Sequence, residues 1–412
     1  MINKNTIPKH WEIKKLGEIC STTSGGTPSR KNPEYFKGYI PWVKSGELDR
    51  GLILDTEEKI TNDGVENSSA KIFPKGTLLI ALYGATIGKI SFLGIDAATN
   101  QAVCGIYQNH NVNHKFLFYF LTLSKPSLIK KSIGGAQPNI SQGILKKLEI
   151  PLPPLSEQSQ IVSKIEELFG ELDKGKQQLE TVKQQLKTYR QAVLKYAFEG
   201  RFTNNNIKDG QLPEGWKWVK VKDVCLQIIG GGTPSTTVSE FWNGNIPWIS
   251  SADIFGIKDI RPRKMITKKA VENSAANILP KGGIIIVTRV GLGKLAIAPY
   301  DMCFSQDNQG LILNEKIIYR EYALLFLQTE VQNFKHQSRG TTINGVTKKQ
   351  LAELDLKLPL LDEQTKIVHQ IETRLSVCDK MEESVETALR QVESLRQSIL
   401  KQAFEGKLIK PD

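Results

Sequence analysis

Ser24–Arg30, SGGTPSR, has a near copy at Gly230–Thr236, GGGTPST. Thr27 and Thr233 stand 206 residues apart, half the length of a 412-residue chain. Such a separation predicts a duplicated module, and further blocks keep the same offset. YIPWVKSGEL from Tyr39 aligns with NIPWISSADI from Asn245, and ENSSAKIFPKGTLLI from Glu66 with ENSAANILPKGGIII from Glu272. NQAVCGI at Asn100 falls near NQGLILN at Asn308. PLPPLSEQSQIVSKIEEL from Pro151 matches KLPLLDEQTKIVHQIETR from Lys357, and RQAVLKYAFEGRF from Arg190 matches RQSILKQAFEGKL from Arg396. Blocks repeated in one order mean that each half holds the same two-part module.

The first part of each module mixes short β-rich runs, Leu78 to Tyr83 and Ile284 to Thr288, with helical spacing around Lys115 to Ser124 and Tyr319 to Thr329. It reads as a compact α/β domain. The second part opens on a proline-rich stop, with Ser156 expected as an N-cap and Glu157 in the first turn; Asp362 and Glu363 hold those places in the second copy. Apolar positions then alternate by four and three. They are Ile161, Ile165, Leu168, Leu172, Gly175, Leu179, Val182, Leu186, Tyr189 and Val193, then Ile367, Ile371, Arg374, Cys378, Met381, Val385, Ala388, Val392, Leu395 and Ile399. That is a coiled-coil seam, with Gly175 and Arg374 as its imperfect positions. Gly200 and Gly406, in the two FEG strings, suit a left-handed helix stop. Two exposed seams in one chain predict that the helices pair with each other, antiparallel, with a head at each end of the rod. From Ile161 to Val193 the helix would rise roughly 50 Å, about one turn of B-DNA or a little more between domain centres.

Composition sets the partner class. Lys plus Arg outnumber Asp plus Glu by 55 to 43, a formal +12 with a pI near 9.2, which favours a polyanion such as DNA or RNA. No apolar run reaches the length that spans a bilayer, so a soluble, cytoplasmic protein is expected, without a membrane partner. Five scattered cysteines, Cys20, Cys104, Cys225, Cys303 and Cys378, suggest neither disulfides nor zinc.

Taken together, two diverged heads, each followed by a helix headed PLPPLSEQ or PLLDEQ and closed by AFEG, with GGTPS, IPW and PKG landmarks, resemble the specificity subunit of type I restriction-modification systems. The resemblance covers essentially the whole chain. It implies residues 1–152 as target recognition domain 1, 153–202 as conserved helical region 1, 203–358 as target recognition domain 2 and 359–412 as conserved helical region 2. The fold expected is mixed α/β: two similar globular α/β heads separated by an antiparallel coiled coil of two long helices, with an internal pseudo-two-fold repeat. It also implies a subunit that binds double-stranded DNA without catalysis, one half-site per head, and docks two methyltransferase subunits and through them restriction/translocase subunits. No cofactor is expected on this chain; S-adenosylmethionine, ATP and magnesium belong to the partners.

Several strings imitate chemistry. NPEY at Asn32 lacks the second proline of an amino-methyltransferase motif, and YGATIGKI at Tyr83 lacks P-loop spacing. Glu57 and Lys59 offer a nuclease-like Glu-x-Lys, but the aligned residues are Arg263 and Met265. His10, His110, His114, His336 and His369 form no metal-binding motif, so neither a catalytic nor a metal residue is assigned.

For DNA contact, Thr27, Ser29, Thr233 and Ser235 can offer hydroxyls, and the adjoining glycines backbone N–H groups, to a phosphate; the same turns can simply close a sheet. Lys44, Lys89, Arg289, Lys294 and Arg339 suit phosphate or guanine, and Gln101, Gln137, Asn139, Asn308 and Asn344 suit adenine, while each also fits an ordinary surface or turn role. Arg30 and Lys31 stand against Thr236 and Thr237, and Lys44-Ser45-Gly46 against Ser250-Ser251-Ala252, so unlike bases are expected at the two heads. A protein-binding scaffold and a self-contained DNA amino-methyltransferase are the alternative functions; loss of sequence preference with retained assembly marks the first, and methyl transfer by the isolated chain the second.

Overall fold

A computed structural model describes residues 6–49, 51–131, 139–204, 207–208, 210–337 and 345–409, with only the helical backbone at 331–337. Two compact units result, Met1–Thr181 with Glu386–Asp412, and Val182–Val385. Four helices organise them: α1 His114–Lys131, α2 Leu155–Phe198, α3 Arg320–Gln337 and α4 Leu361–Phe404. The unit boundaries fall inside α2 and α4. Each unit therefore joins one head to the start of the helix that follows it and to the end of the other long helix.

In the first unit, a five-stranded sheet has the order Thr22–Ser24, Val103–Ile106, Leu78–Ala81, Ile90–Leu93, Leu52–Ile53. Its Leu78 and Ile80 face a core shared with α1 and both long helices, while Leu79 and Ala81 face a second core. A strand buried on both sides explains the unbroken apolar run LLIA, which has no polar alternation to reveal a strand. A four-stranded sheet, Glu58–Ile60, Ile40–Val43, Ala97–Thr99, Ile72–Phe73, completes the head. The second unit repeats the plan. Ile284–Val287 is again buried on both faces, and Trp242–Ile249 pairs antiparallel with Lys264–Ile266 and parallel with Cys303–Phe304.

Each head is tied to its helices by matching contacts. The Phe404 ring sits 4.9 Å from Phe116 and 5.2 Å from Phe120 in the first unit; in the second, Phe198 sits 5.3 Å from Tyr322 and 5.8 Å from Phe326. At the other helix end, the buried Gln158 accepts from Asn113 N at 2.8 Å and donates to Pro153 O at 2.9 Å. Gln364 does the same with Tyr319 N, 2.7 Å, and Pro359 O, 2.9 Å. The glutamine of SEQ and DEQ is thus a strap from helix start to head, a role the sequence string did not disclose.

Within each unit, the two long helices run antiparallel. Arg396 bridges Asp173 in the first unit, and Arg190 bridges Asp379 at 2.5 Å and Glu382 at 3.1 Å in the second, so the two arginine pairs repeat each other. The strict seam needs correction here. Tyr189, Met381 and Leu395 are 48%, 48% and 50% exposed, and Arg190 and Arg396 turn inward beside two of them. Val193 stays on the buried track, but in the last turn of each helix that track has moved one residue on, to Ala197 and to Leu400 and Ala403, as a straight helix drifting about 20° per heptad from a 3.5-residue stripe requires. The helices also begin at Leu155 and Leu361, so Ser156 and Asp362 lie inside the first turn and Ser156 is not the N-cap. Gly200 and Gly406 close the helices at φ 78° and 68°, with Arg201 N bonded to Tyr196 O at 3.1 Å and Lys407 N to Gln402 O at 2.9 Å. A Cβ there would lie 2.3 Å from Pro213 or 2.2 Å from Pro8, so these turns also fix the entry of each head.

Phe404→Ala should destabilise the first unit by about 3–5 kcal/mol in denaturant unfolding, because a fully buried ring is lost. Asp173→Asn should cost less than about 1 kcal/mol, since that carboxylate is exposed. Gly175 lies mid-helix with nothing within 4 Å of an added Cβ, and Gly175→Ala should raise stability by about 0.5–1 kcal/mol in the same assay.

Candidate nucleic-acid interface

The repeated glycine turn proves to be framework. Gly25 N and Gly26 N donate to Val103 O and Thr99 O at 3.1 and 2.9 Å, and Gly231 N and Gly232 N to Asn308 O and Phe304 O at 3.2 and 2.8 Å. Trp42 Nε1 donates to Gly26 O at 3.0 Å, and Trp248 Nε1 to Gly232 O at 2.9 Å. A Cβ on Gly26 or Gly232 would lie 2.3 Å from backbone. These glycine N–H groups are spent inside the head, so they do not face a phosphate as the sequence had allowed.

What the turn does present is a hydroxyl. Thr27 Oγ1 donates to Gln101 Oε1 in the first head, and Thr233 Oγ1 donates to Gln306 Oε1 at 2.5 Å in the second. Strand pairing sets this equivalence: Asn100 N reaches Val43 O at 3.0 Å where Ser305 N reaches Ile249 O at 2.9 Å. The NQ at Asn308 therefore does not match the NQ at Asn100. Asn308 is fully buried, taking the place of Val103, and its Nδ2 donates to Ser305 Oγ at 3.1 Å. It cannot reach a base edge, and Gln306, which is exposed, holds the position analogous to Gln101. Beside Gln101 stand Tyr83, whose phenol burial pushes up against an opposing Gln101 hydrogen bond, and Asn139, bridged to Tyr83 through backbone. The matching places in the second head are Arg289, exposed, and Gly345. Gln137, Arg339 and Asn344 lie outside the described residues.

Several of the remaining cations, Arg30, Lys44, Lys89 and Lys294, are engaged within the protein. In the first head, Arg30 bonds Glu58 at 2.7 Å, Lys44 bonds Glu57 and Glu58 at 2.8 and 3.1 Å, and Lys89 bonds Asp49 at 2.7 Å. Glu47 is buried beneath and accepts from Lys44 N at 2.8 Å. In the second head, buried Asp253 accepts from Ser250 N and Oγ at 2.7 and 2.8 Å and pairs with Arg263; Lys294 donates to Ser251 O and Ile254 O, both at 2.9 Å. Burial pushes the Asp253 carboxyl up, but the Ser250 and Arg263 hydrogen bonds outweigh it and hold it below the usual range. Ser29, Lys31, Ser235 and Thr236 are exposed, Ser45 is half-buried, and Ser235 Oγ lies 2.8 Å from Thr237 Oγ1.

Elsewhere burial raises the thiols of buried Cys20 and Cys303 to about 11, and those of buried Cys104 and half-buried Cys225 to about 12, so they stay protonated and weakly nucleophilic. Each unit also carries a groove at the end of its captured helix. One, about 580 Å³, is lined by Gln191, Lys195, Phe326, Trp218 and Asp355; the other, about 630 Å³, by Gln397, Lys401, Phe120, Ile13 and Glu149 at the corresponding places.

The family model for the type I restriction modification DNA specificity domain matches residues 8–184 and again residues 213–391. The chain belongs to that family. It is similar to the type I restriction enzyme MjaIX specificity subunit of Methanocaldococcus jannaschii, with 27% identity over 362 residues, 82% of this chain and 80% of the relative. Among solved structures it resembles a chain described under complex assembly and conformational transition of the type I R-M system, with TM-score 0.76, 22% identity and coverage of 97% of this chain and 99% of the other. The HsdS subunit from Thermoanaerobacter tengcongensis follows at TM-score 0.61, 22% identity and coverage of 97% and 98%. At these identities the structural likeness concerns the fold.

Two measurements test the assignment within the heads. Gln306→Ala should weaken binding to a selected duplex while leaving thermal stability unchanged, whereas Asn308→Val should leave binding intact and stability within about 1 kcal/mol, because its analogue is already Val103. The Arg30 hydrogen bond, against opposing burial and with help from Lys44, holds Glu58 below the usual carboxylate range. Its contribution is present above the unfolded glutamate value and is lost as pH falls through the depressed folded value. Acidification below about pH 4 should therefore destabilise the first unit, with a shallower dependence in Glu58→Gln.

Proposed function

We propose that this chain is the non-catalytic, DNA-reading subunit of a type I restriction-modification complex, each head reading one of two unlike half-sites of an interrupted duplex. The observation that carries this is the contrast between an identical frame and altered polar groups. Both heads repeat the tryptophan-to-glycine bond and the threonine-to-glutamine bond. Around them Arg289 stands in place of Tyr83 and Ser250 in place of Lys44. Base edges are distinguished by donors and acceptors, so a fixed frame with changed side chains selects changed bases. The contact set comprises Thr27, Ser29, Arg30, Lys31, Lys44, Ser45, Lys89, Gln101 and Asn139 in the first head. In the second it comprises Thr233, Ser235, Thr236, Ser250, Arg289, Lys294 and Gln306. Gln137, Arg339 and Asn344 belong to the same proposal by sequence position.

Two methyltransferase subunits dock on this chain, and restriction/translocase subunits join through them. The two matching grooves support that stoichiometry, because two like surfaces suit two like partners. S-adenosylmethionine, ATP and magnesium reside on those subunits, and the partner that methylates the base also bears the cost of unstacking it. No described helix is long and apolar enough to cross a membrane, and the proposed site of action is the cytoplasm.

Reconstitution provides the test. The chain alone should transfer no methyl group from S-adenosylmethionine to duplex DNA, and adding the separate methyltransferase should give site-specific adenine methylation; transfer by the chain alone, or assembly without sequence preference, would overturn the proposal. Inserting one heptad in both α2 and α4 should lengthen the unread spacer and leave both half-site sequences unchanged. Altered half-sites with the old spacer would count against the helices as a ruler.

A further inference from the structure

Both heads place a cation over the same pair of aromatic rings, but from different points of the chain. In the first, Phe36 and Trp42 meet edge to face at 5.7 Å, and the Arg30 guanidinium lies 4.0 Å from the Phe36 ring and 5.3 Å from Trp42. In the second, Trp242 and Trp248 meet at 5.6 Å, and the Lys264 ammonium lies 5.0 and 5.8 Å from them. Lys264 stands where the first head has Glu58, and Thr236 stands where it has Arg30. Arg263 likewise replaces Glu57, and Ser250 replaces Lys44.

These exchanges are coupled by charge. Arg30 and Lys44 are long cations because Glu57 and Glu58 are there to receive them; an arginine at Thr236 would face Lys264 instead. At these four exchanged positions and the buried carboxylate beneath, the first head holds Arg30 and Lys44 against Glu47, Glu57 and Glu58, while the second holds Arg263 and Lys264 against Asp253 alone. Among the described residues Lys264 has no carboxylate partner, and Arg263 commits its Nε to Asp253 while its side chain remains 68% exposed. With Thr236 replacing arginine, the space stays open as a cavity of about 420 Å³ lined by Thr236, Trp242, Asn243, Gly244, Arg263 and Lys264.

We infer that this cavity is an anion site for one backbone phosphate of duplex DNA, built from Lys264, Arg263 and the Thr236 hydroxyl, and that only the second head has it. The indole faces hold the ammonium in place, so little side-chain freedom is lost on contact. In the first head, Arg30 fills the equivalent space and Glu58 neutralises it. The two heads therefore differ in grip on the DNA backbone as well as in the bases they select. The inference rests on the DNA-reading assignment.

The test uses the full chain with its methyltransferase partner, a duplex bearing the sequence it selects, and affinities measured across a salt series. Lys264→Gln should reduce the slope of log K against log salt by about one, since each phosphate neutralised contributes about 0.9, and should leave the selected half-sites unchanged. Thr236→Arg with Lys264→Glu, which rebuilds the first head's pair, should produce the same loss. Arg30→Thr with Glu58→Lys should do the reverse and raise the slope by about one. Unchanged slopes in Lys264→Gln and the reciprocal pair, in variants with parental melting, would overturn the phosphate site; so would an altered second half-site in Lys264→Gln. Failure of the parent to prefer any duplex would instead reject the DNA-reading assignment.

Discussion

The burial of Phe404 against Phe116 and Phe120, matched by Phe198 against Tyr322 and Phe326, is the constraint from which the architecture follows. Each head is completed by the last turn of the long helix that does not follow it. A head folded without that turn would expose Phe116 and the neighbouring apolar floor, so head and helix pair form one cooperative unit. The same requirement sets helix polarity: an end that must return to the other module's head can meet its neighbour only antiparallel. The arginine pairs to Asp173 and Asp379 then add register at small energetic gain, being partly exposed.

The glutamine strap and the glycine turn serve this constraint at the opposite end. Gln158 and Gln364 are buried amides whose groups are met by backbone at the head, which fixes how each helix leaves its domain. Trp42 and Trp248, bonded to the glycine carbonyls, in turn fix the polar loops above them. Rigid support is what lets a change of side chain become a change of contact.

Much of this was legible in the sequence because duplication supplies an internal comparison. The repeated GGTPS, IPW, PKG and FEG strings locate the modules, and their equality marks frame. Three features were not legible. The seam leaves Tyr189 and Met381 exposed between buried neighbours, Leu186 and Val193, and Cys378 and Val385, while near the C-terminal end of α4, where Leu395 is exposed, a straight helix has drifted from the 3.5-residue period. The NQ strings at Asn100 and Asn308 lie near each other in the repeat, but a three-residue shift that only strand pairing resolves puts Gln306, not Gln309, at the place of Gln101, and Gln306 carries no signal in the sequence beyond its own amide. Arg263 and Lys264 were passed over because each matters through what replaced its partner, a relation between distant positions that linear spacing does not express.

Two unlike heads on one repeated frame make the central claim, and binding-site selection tests it most directly. The full chain, with its methyltransferase partner, would be presented with a pool of random duplex DNA and the retained sequences determined. The account predicts two short, different motifs at a constant separation. A single contiguous motif, or two identical halves, would contradict it.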